Sequence, residues 1–155
     1  MRRRSFLWAL ALLLAVAPGL AVAIETFESD EIVIETRAGK RHAFLVELAT
    51  TPAQQAQGLM FRKSMPAGRG MLFIYSPPRR TAMWMMNTFI PLDMLFIAAG
   101  GRIVKIAERT VPHSRATISS EEVVLAVLEL NAGTASRLGI APGDRVLYGA
   151  FGSAP

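Results

Sequence analysis

Cysteine is missing altogether, which excludes disulfides, thiolate metal sites and thiol nucleophiles, so stability must come from packing. Histidine is nearly missing too. His42 and His113 are the only two, and no His/Asp/Glu grouping has metal-ligand spacing, so no metal site is expected. There is no Gly-x-Ser-x-Gly, no phosphate-cradling glycine loop and no Cys-His pair, which leaves nucleophilic and nucleotide-dependent catalysis without support. No cofactor is expected. Concentrated charge of one sign is also absent. The basic doublets Lys40-Arg41, Arg62-Lys63 and Arg79-Arg80 are scattered, which argues against a nucleic-acid partner.

What is present begins with a targeting pattern. Arg2, Arg3 and Arg4 precede an apolar run from Phe6 to Val16, and Ala21-Val22-Ala23 follows. A basic start, a run too short to span a bilayer comfortably and an A-x-A ending predict a secretory signal peptide over 1–23, cleaved near Ala23, with an uncleaved anchor as the alternative. Without cysteine a lipidated form is excluded, and no second run is long enough to span a membrane. Residues 1–23 hold three of the seventeen Lys and Arg and none of the twelve Asp and Glu, leaving fourteen against twelve, or +2. The expected mature protein, residues 24–155, is periplasmic or secreted, a monomer, and of a length suited to one domain with its own core.

Its pattern is mainly β. Ile32–Thr36 and His42–Leu48 are β-branched or aromatic runs joined by Arg37–Lys40, a hairpin signature, and in the second run Phe44, Val46 and Leu48 share one face. Thr51-Pro52-Ala53-Gln54 places an N-cap, a first-turn proline and a capping-box glutamine, so a short helix should run to about Gln57 and end on Gly58 as a left-handed residue. Gly70–Tyr75 reads as a buried strand stopped by Ser76-Pro77-Pro78. Met83–Ile97 reads as strand, turn and strand around Asn87–Pro91, and Ile103–Ala107 should pair with Leu92–Ile97. Thr110–Ser120 is expected to be an exposed loop. Glu122–Asn131, apolar on both faces, suits a central strand. One helical turn after Gly133, a last strand over Arg145–Tyr148 and a loose tail from Gly149 complete the chain. The fold class is a single-domain β-sandwich-like or open-barrel domain with one or two short helices.

Polar groups interrupt these core-like strands at a few points. Asp93 alternates with Leu95 and Ile97 and therefore needs partners, either the backbone amides of its turn or a ligand. Glu129 follows Val123, Leu125 and Val127 on one face, where it calls for an ion pair with Arg62 or Arg102, or else stands with Asp93 at a pocket mouth. Trp84, flanked by Met83, Met85 and Met86, is core filler or the floor of an apolar pocket, and the same two readings cover Met60 and Met71.

The segments Gly58-Leu59-Met60-Phe61-Arg62, Gly70-Met71-Leu72-Phe73, Met83-Trp84-Met85-Met86-Asn87-Thr88, Pro91-Leu92-Asp93 with Phe96-Ile97, and Val127-Leu128-Glu129-Leu130-Asn131-Ala132-Gly133 stand in the order and spacing of the DUF192 family. The resemblance spans about His42 to Leu147. It implies a small mainly-β, sandwich-like domain, often behind a signal peptide, and implies no particular activity. Met86 departs from it, standing where the family usually has Lys or Arg, which weakens the case for an anionic ligand.

Taken together, a non-enzymatic domain is expected. It should bind a small molecule, glycan or envelope protein through a cleft near Trp84, Asn87, Asp93, Glu129, Asn131 and Arg62. The alternative is an envelope hydrolase using Asp93 and Glu129 as acid and base, which requires the two carboxyl groups to face one cleft.

Overall fold

The computed structural model describes residues 24–153. The expected signal peptide lies outside the described residues. Two strands, β1 (Glu28–Glu35) and β2 (Arg41–Ala49), form the hairpin, and α1 (Pro52–Gln57) follows. Then come β3 (Arg69–Arg79), β4 (Ala82–Met83), β5 (Leu92–Ile97), β6 (Ile103–Ala107), β7 (Ile118–Ser119), β8 (Val124–Asn131), α2 (Thr134–Leu138) and β9 (Arg145–Leu147).

Seven strands make one sheet in the order β6-β5-β8-β3-β2-β1-β9, with only β2 and β3 parallel, while β4 and β7 form a separate small ladder. The sheet curls into a nearly closed barrel. Its two edges meet where the Ile103 amide donates to Asp144 O at 2.9 Å and the Gly143 amide to Ile103 O at 2.8 Å. Beside this seam Gly101, at φ +83, passes so near the Val146 carbonyl that a Cβ would stand 2.2 Å from its oxygen. Only glycine serves there.

Strand alternation sorts the apolar residues into two cores. An inner core draws on all seven strands, with Ile32, Phe44, Leu72, Leu95, Leu128 and Val146 among its members. An outer core on the other face of β3, β5 and β8 collects Met71, Phe73, Met94, Phe96 and Val127 under Leu59, Met85 and Ile90 from the connecting segments. The middle strands are thus covered on both faces, which is why Val124–Asn131 lacks a polar side.

The helix start is as expected, with Thr51 Oγ1 accepting from the Gln54 amide at 3.2 Å and the Gln54 side chain accepting from the Thr51 amide at 3.1 Å. Its end is different: Gly58 sits at φ 49, ψ −137, outside the left-handed helical region, with the Phe73 ring 3.1 Å from where a Cβ would be. Strand β3 also runs through Pro77 and Pro78 to Arg79, because its register with β8 jumps between Ile74 and Arg79 and the missing proline donors fall in that gap. The segment after Gly149 is not loose. It forms a 3₁₀ turn that buries Phe151 in the inner core. The Thr110–Ser120 segment is anchored at both buried ends and contributes β7.

Candidate functional site

Three carboxylates are buried among the described residues, and the fold treats them differently. Asp93, fully buried on β5, is saturated: Oδ1 accepts from the Arg109 amide at 2.9 Å and the Gly133 amide at 3.0 Å, and Oδ2 from the Ala135 amide at 2.9 Å. The last two belong to the start of α2, whose own N-cap, Gly133, has no side chain to offer. Asp93 therefore caps a helix from a neighbouring strand. Asp144 is satisfied in the same manner by the amides of Arg37 at 2.9 Å and Ala141 at 2.8 Å.

Glu129 is the exception. It lies on β8 between Met71 of β3 and Met94 of β5 and is 4% exposed. Among the described residues no hydrogen bond or ion pair reaches its carboxylate, and burial alone pushes its pKa from 4.5 up to about 8. The expected ion pair is absent because both arginines are engaged elsewhere. Arg62 bonds Glu47, with Nη1 donating to Oε1 at 3.0 Å, and Arg102 lies 3.8 Å from Glu122.

Glu129 forms part of the wall of a cavity of about 320 Å³. Around it stand Tyr75 and Arg79 of β3, Met83 and Trp84 at the end of β4, Thr88, and Gln55 and Met60 from α1 and the segment after it. Trp84 is 50% exposed, so it is not core filler, and half of its ring faces solvent or this cavity. The Arg79 guanidinium lies over the Tyr75 ring, 4.5 Å from its centroid, and the Tyr75 hydroxyl donates to Met83 Sδ at 3.5 Å. The Tyr75 pKa is raised, mainly by burial and slightly by Glu129, against lowering by Thr81 and Arg79.

The cover over the outer core is knitted from three segments by amide bonds, Phe61 to Asn87 O at 2.9 Å, Met85 to Ser114 O at 2.9 Å and His113 to Thr88 O at 3.2 Å. Phe61, Asn87 and His113 hold positive φ angles of 64, 56 and 62. For side chains other than glycine that conformation is unfavourable by about 1 kcal/mol or more, and three of the five such residues among the described ones lie in this cover. Phe89 stacks between Phe61 and His113, at centroid distances of 6.1 and 5.2 Å.

Of the six residues named from sequence, Trp84 and Glu129 share the cavity. Asn87 belongs to its cover, with Nδ2 4.0 Å from Met60 Sδ. Arg62 is paired with Glu47, and Asn131 ties the Met65 carbonyl at 2.8 Å. Asp93 lies on the other face. It stands opposite Leu130 in register, one position from the Met94–Glu129 pair, so its side chain points to the inner core while that of Glu129 points to the outer. An acid/base pair of Asp93 with Glu129 is therefore excluded by strand alternation. Sequence reading missed Tyr75, Arg79 and Thr88; the only signal was an aromatic and a cation flanking two prolines at a strand end.

Fold and cavity together define a small, barrel-like β domain with a polar group sunk into an otherwise apolar wall. The family model DUF192, described as uncharacterised ACR, matches residues 33–148, and the chain belongs to that family. Two crystal structures are similar. A proposed transcription regulator from Sinorhizobium meliloti 1021 is 49% identical with a TM-score of 0.78, over 80% of this chain and 96% of that one. A protein of unknown function from Novosphingobium aromaticivorans DSM 12444 is 40% identical with a TM-score of 0.76, over 86% and 91%. No curated protein matches.

Proposed function

We propose that this chain is an exported binding domain that takes a small ligand in the cavity beside Glu129, with Trp84 as the platform on which the ligand rests. The observation that carries this reading is the buried carboxylate without a partner. Asp93 and Asp144 in the same fold take their donors from backbone amides, whereas no described residue donates to Glu129, whose carboxylate opens onto the cavity, so a donor entering that cavity is the missing element. A half-exposed tryptophan beside a few convergent polar groups is the usual make-up of a ligand site. Export is supported by Arg2–Arg4, the Phe6–Val16 run and Ala21-Val22-Ala23. Among the described residues no helix is long and apolar enough to cross a membrane.

The name of the Sinorhizobium relative raises a DNA-binding reading. Against it, the basic doublets Lys40-Arg41, Arg62-Lys63 and Arg79-Arg80 are scattered along the sequence, and Arg62, Arg102 and Lys105 are each set against an acidic neighbour, Glu47, Glu122 and Glu121.

The test begins with the full chain expressed in a bacterium with two membranes, where recovery from the periplasm with a mass corresponding to a start at Ile24 is expected. The purified protein is then screened by thermal shift against sugars, peptidoglycan fragments, amino acids, amines, carboxylates and copper or divalent ions. A ligand at a hundred times its dissociation constant adds about 2.7 kcal/mol. A shift abolished by both Trp84→Ala and Glu129→Gln is the expected result. A silent screen, or shifts that persist in both variants, overturns the reading.

A further inference from the structure

We propose that the cavity beside Glu129 is a site for a small organic cation, an alkylammonium or quaternary ammonium group, held by the Glu129 carboxylate and by the ring of Trp84. This rests on the reading of the cavity as a binding site and names the class of its ligand.

Three features of the wall favour positive charge. The one carboxylate in it has no ion-pair partner among the described residues, and a ligand cation would supply it. Trp84, half exposed at the cavity wall, offers a ring whose negative face attracts cations, most strongly where water is displaced. Met60 and Met83 add soft, polarisable sulfur and no competing donor. An anion would meet the Glu129 carboxylate in the same space.

The opposing group is Arg79. It is exposed, and its guanidinium already covers the Tyr75 ring at 4.5 Å. It therefore weakens cation binding without supplying the missing partner of Glu129. Besides these two and the Tyr75 phenol, whose pKa burial raises, no ionisable side chain among the described residues lines the cavity: α1 contributes Gln55 and Gln57, and the segments around β4 contribute Thr81 and Thr88.

Binding of a permanent cation requires ionised Glu129, so it expels a proton to the buffer wherever that carboxyl is still protonated in the free protein. With a pKa of about 8, the ionised fraction rises from about one-tenth at pH 7 to about nine-tenths at pH 9, and cation affinity should rise about tenfold between them. A neutral sugar held by the protonated carboxyl as donor gives the opposite slope. The two ligand classes are thereby separated by sign.

The experiment is calorimetric titration of the protein as purified from the periplasm with choline, tetramethylammonium and n-butylammonium, and with 3,3-dimethylbutan-1-ol, the uncharged isostere of choline. Choline should bind at least tenfold more tightly than the isostere, gain about tenfold from pH 7 to pH 9, and release protons in buffers of differing ionisation enthalpy. Glu129→Gln should erase the preference for charge, and Arg79→Gln should tighten every cation. Should Glu129→Gln prove unfolded, the Arg79→Gln arm and the pH slope decide alone. Equal affinity for the isostere, an affinity that falls with pH, or weaker cation binding in Arg79→Gln overturns the proposal. If sugars or other neutral compounds bind, are lost in Trp84→Ala, and no cation binds at millimolar concentration, the cation inference fails while the binding site stands. If no compound of any class binds, both fail.

Discussion

Asp93 and Glu129 are both buried carboxylates, on adjacent strands and one register position apart, yet one side chain points to the inner core and the other to the outer. Asp93 accepts three backbone amides, two of them at the start of α2. Glu129 accepts none among the described residues, and burial raises its pKa instead. Burial of a charge therefore does not by itself mark a functional site. What separates structural from available is whether the fold has already supplied the donors. The inner face, closed by seven strands and α2, brings backbone amides to its acid; the outer face is covered by connecting segments and α1 and leaves a cavity beside its own.

The largest expected effect comes from removing the saturated member. Asp93→Ala leaves three amides without their acceptor and detaches the start of α2, so urea denaturation at pH 7 should register a loss of at least about 3 kcal/mol, at about 1–3 kcal/mol for each orphaned group. A loss below about 1 kcal/mol would erase the distinction between the two acids.

Glu129 should behave oppositely, and its effect depends on pH. Because its folded pKa of about 8 lies above 4.5, the folded state binds the proton more tightly than the unfolded one. Its contribution is at its most favourable below the unfolded value and is lost as pH rises through the folded one. At about 1.4 kcal/mol per pH unit, the interval amounts to a few kcal/mol by pH 9. Glu129→Gln, neutral at every pH, should match the wild type within about 1 kcal/mol at pH 4 and exceed it by a few kcal/mol at pH 9. Parallel stability curves for the two proteins across that range would mean that Glu129 is ionised and satisfied after all.

Local signals carried the elements well. The capping box at Thr51, the hairpin before it and the pairing of Leu92–Ile97 with Ile103–Ala107 were legible because each depends on residues close in sequence. The failures have a common physical origin in contacts made at long range. Pro77 and Pro78 read as a strand end because a register jump against β8, about fifty residues away, is invisible in a single segment. Phe151 read as tail because the inner core that receives it is assembled from seven strands. For the site, alternation placed Asp93 and Glu129 each on a face, but whether the faces were the same depended on strand register, which no local pattern supplies. Arginine partners for Glu129 were reasonable by charge and wrong by position, since Glu47 and Glu122 lie nearer to Arg62 and Arg102.

Trp84 gives the smallest expected effect on stability and for that reason the most direct test of the comparison. Fully buried tryptophans replaced by alanine lose about 3–5 kcal/mol, but this ring is 50% exposed and belongs to neither core, so Trp84→Ala should lower stability by no more than about 1 kcal/mol. Its removal takes away the platform while leaving Glu129, Tyr75 and the strands that hold them in place. Any ligand that shifts the melting temperature of the wild type should therefore lose most of that shift in Trp84→Ala at unchanged fold, as read by far-ultraviolet circular dichroism. A loss of several kcal/mol would instead assign the ring to the cover of the outer core, and the cavity beside Glu129 would then be a packing gap with an acid in it rather than a place prepared for a ligand.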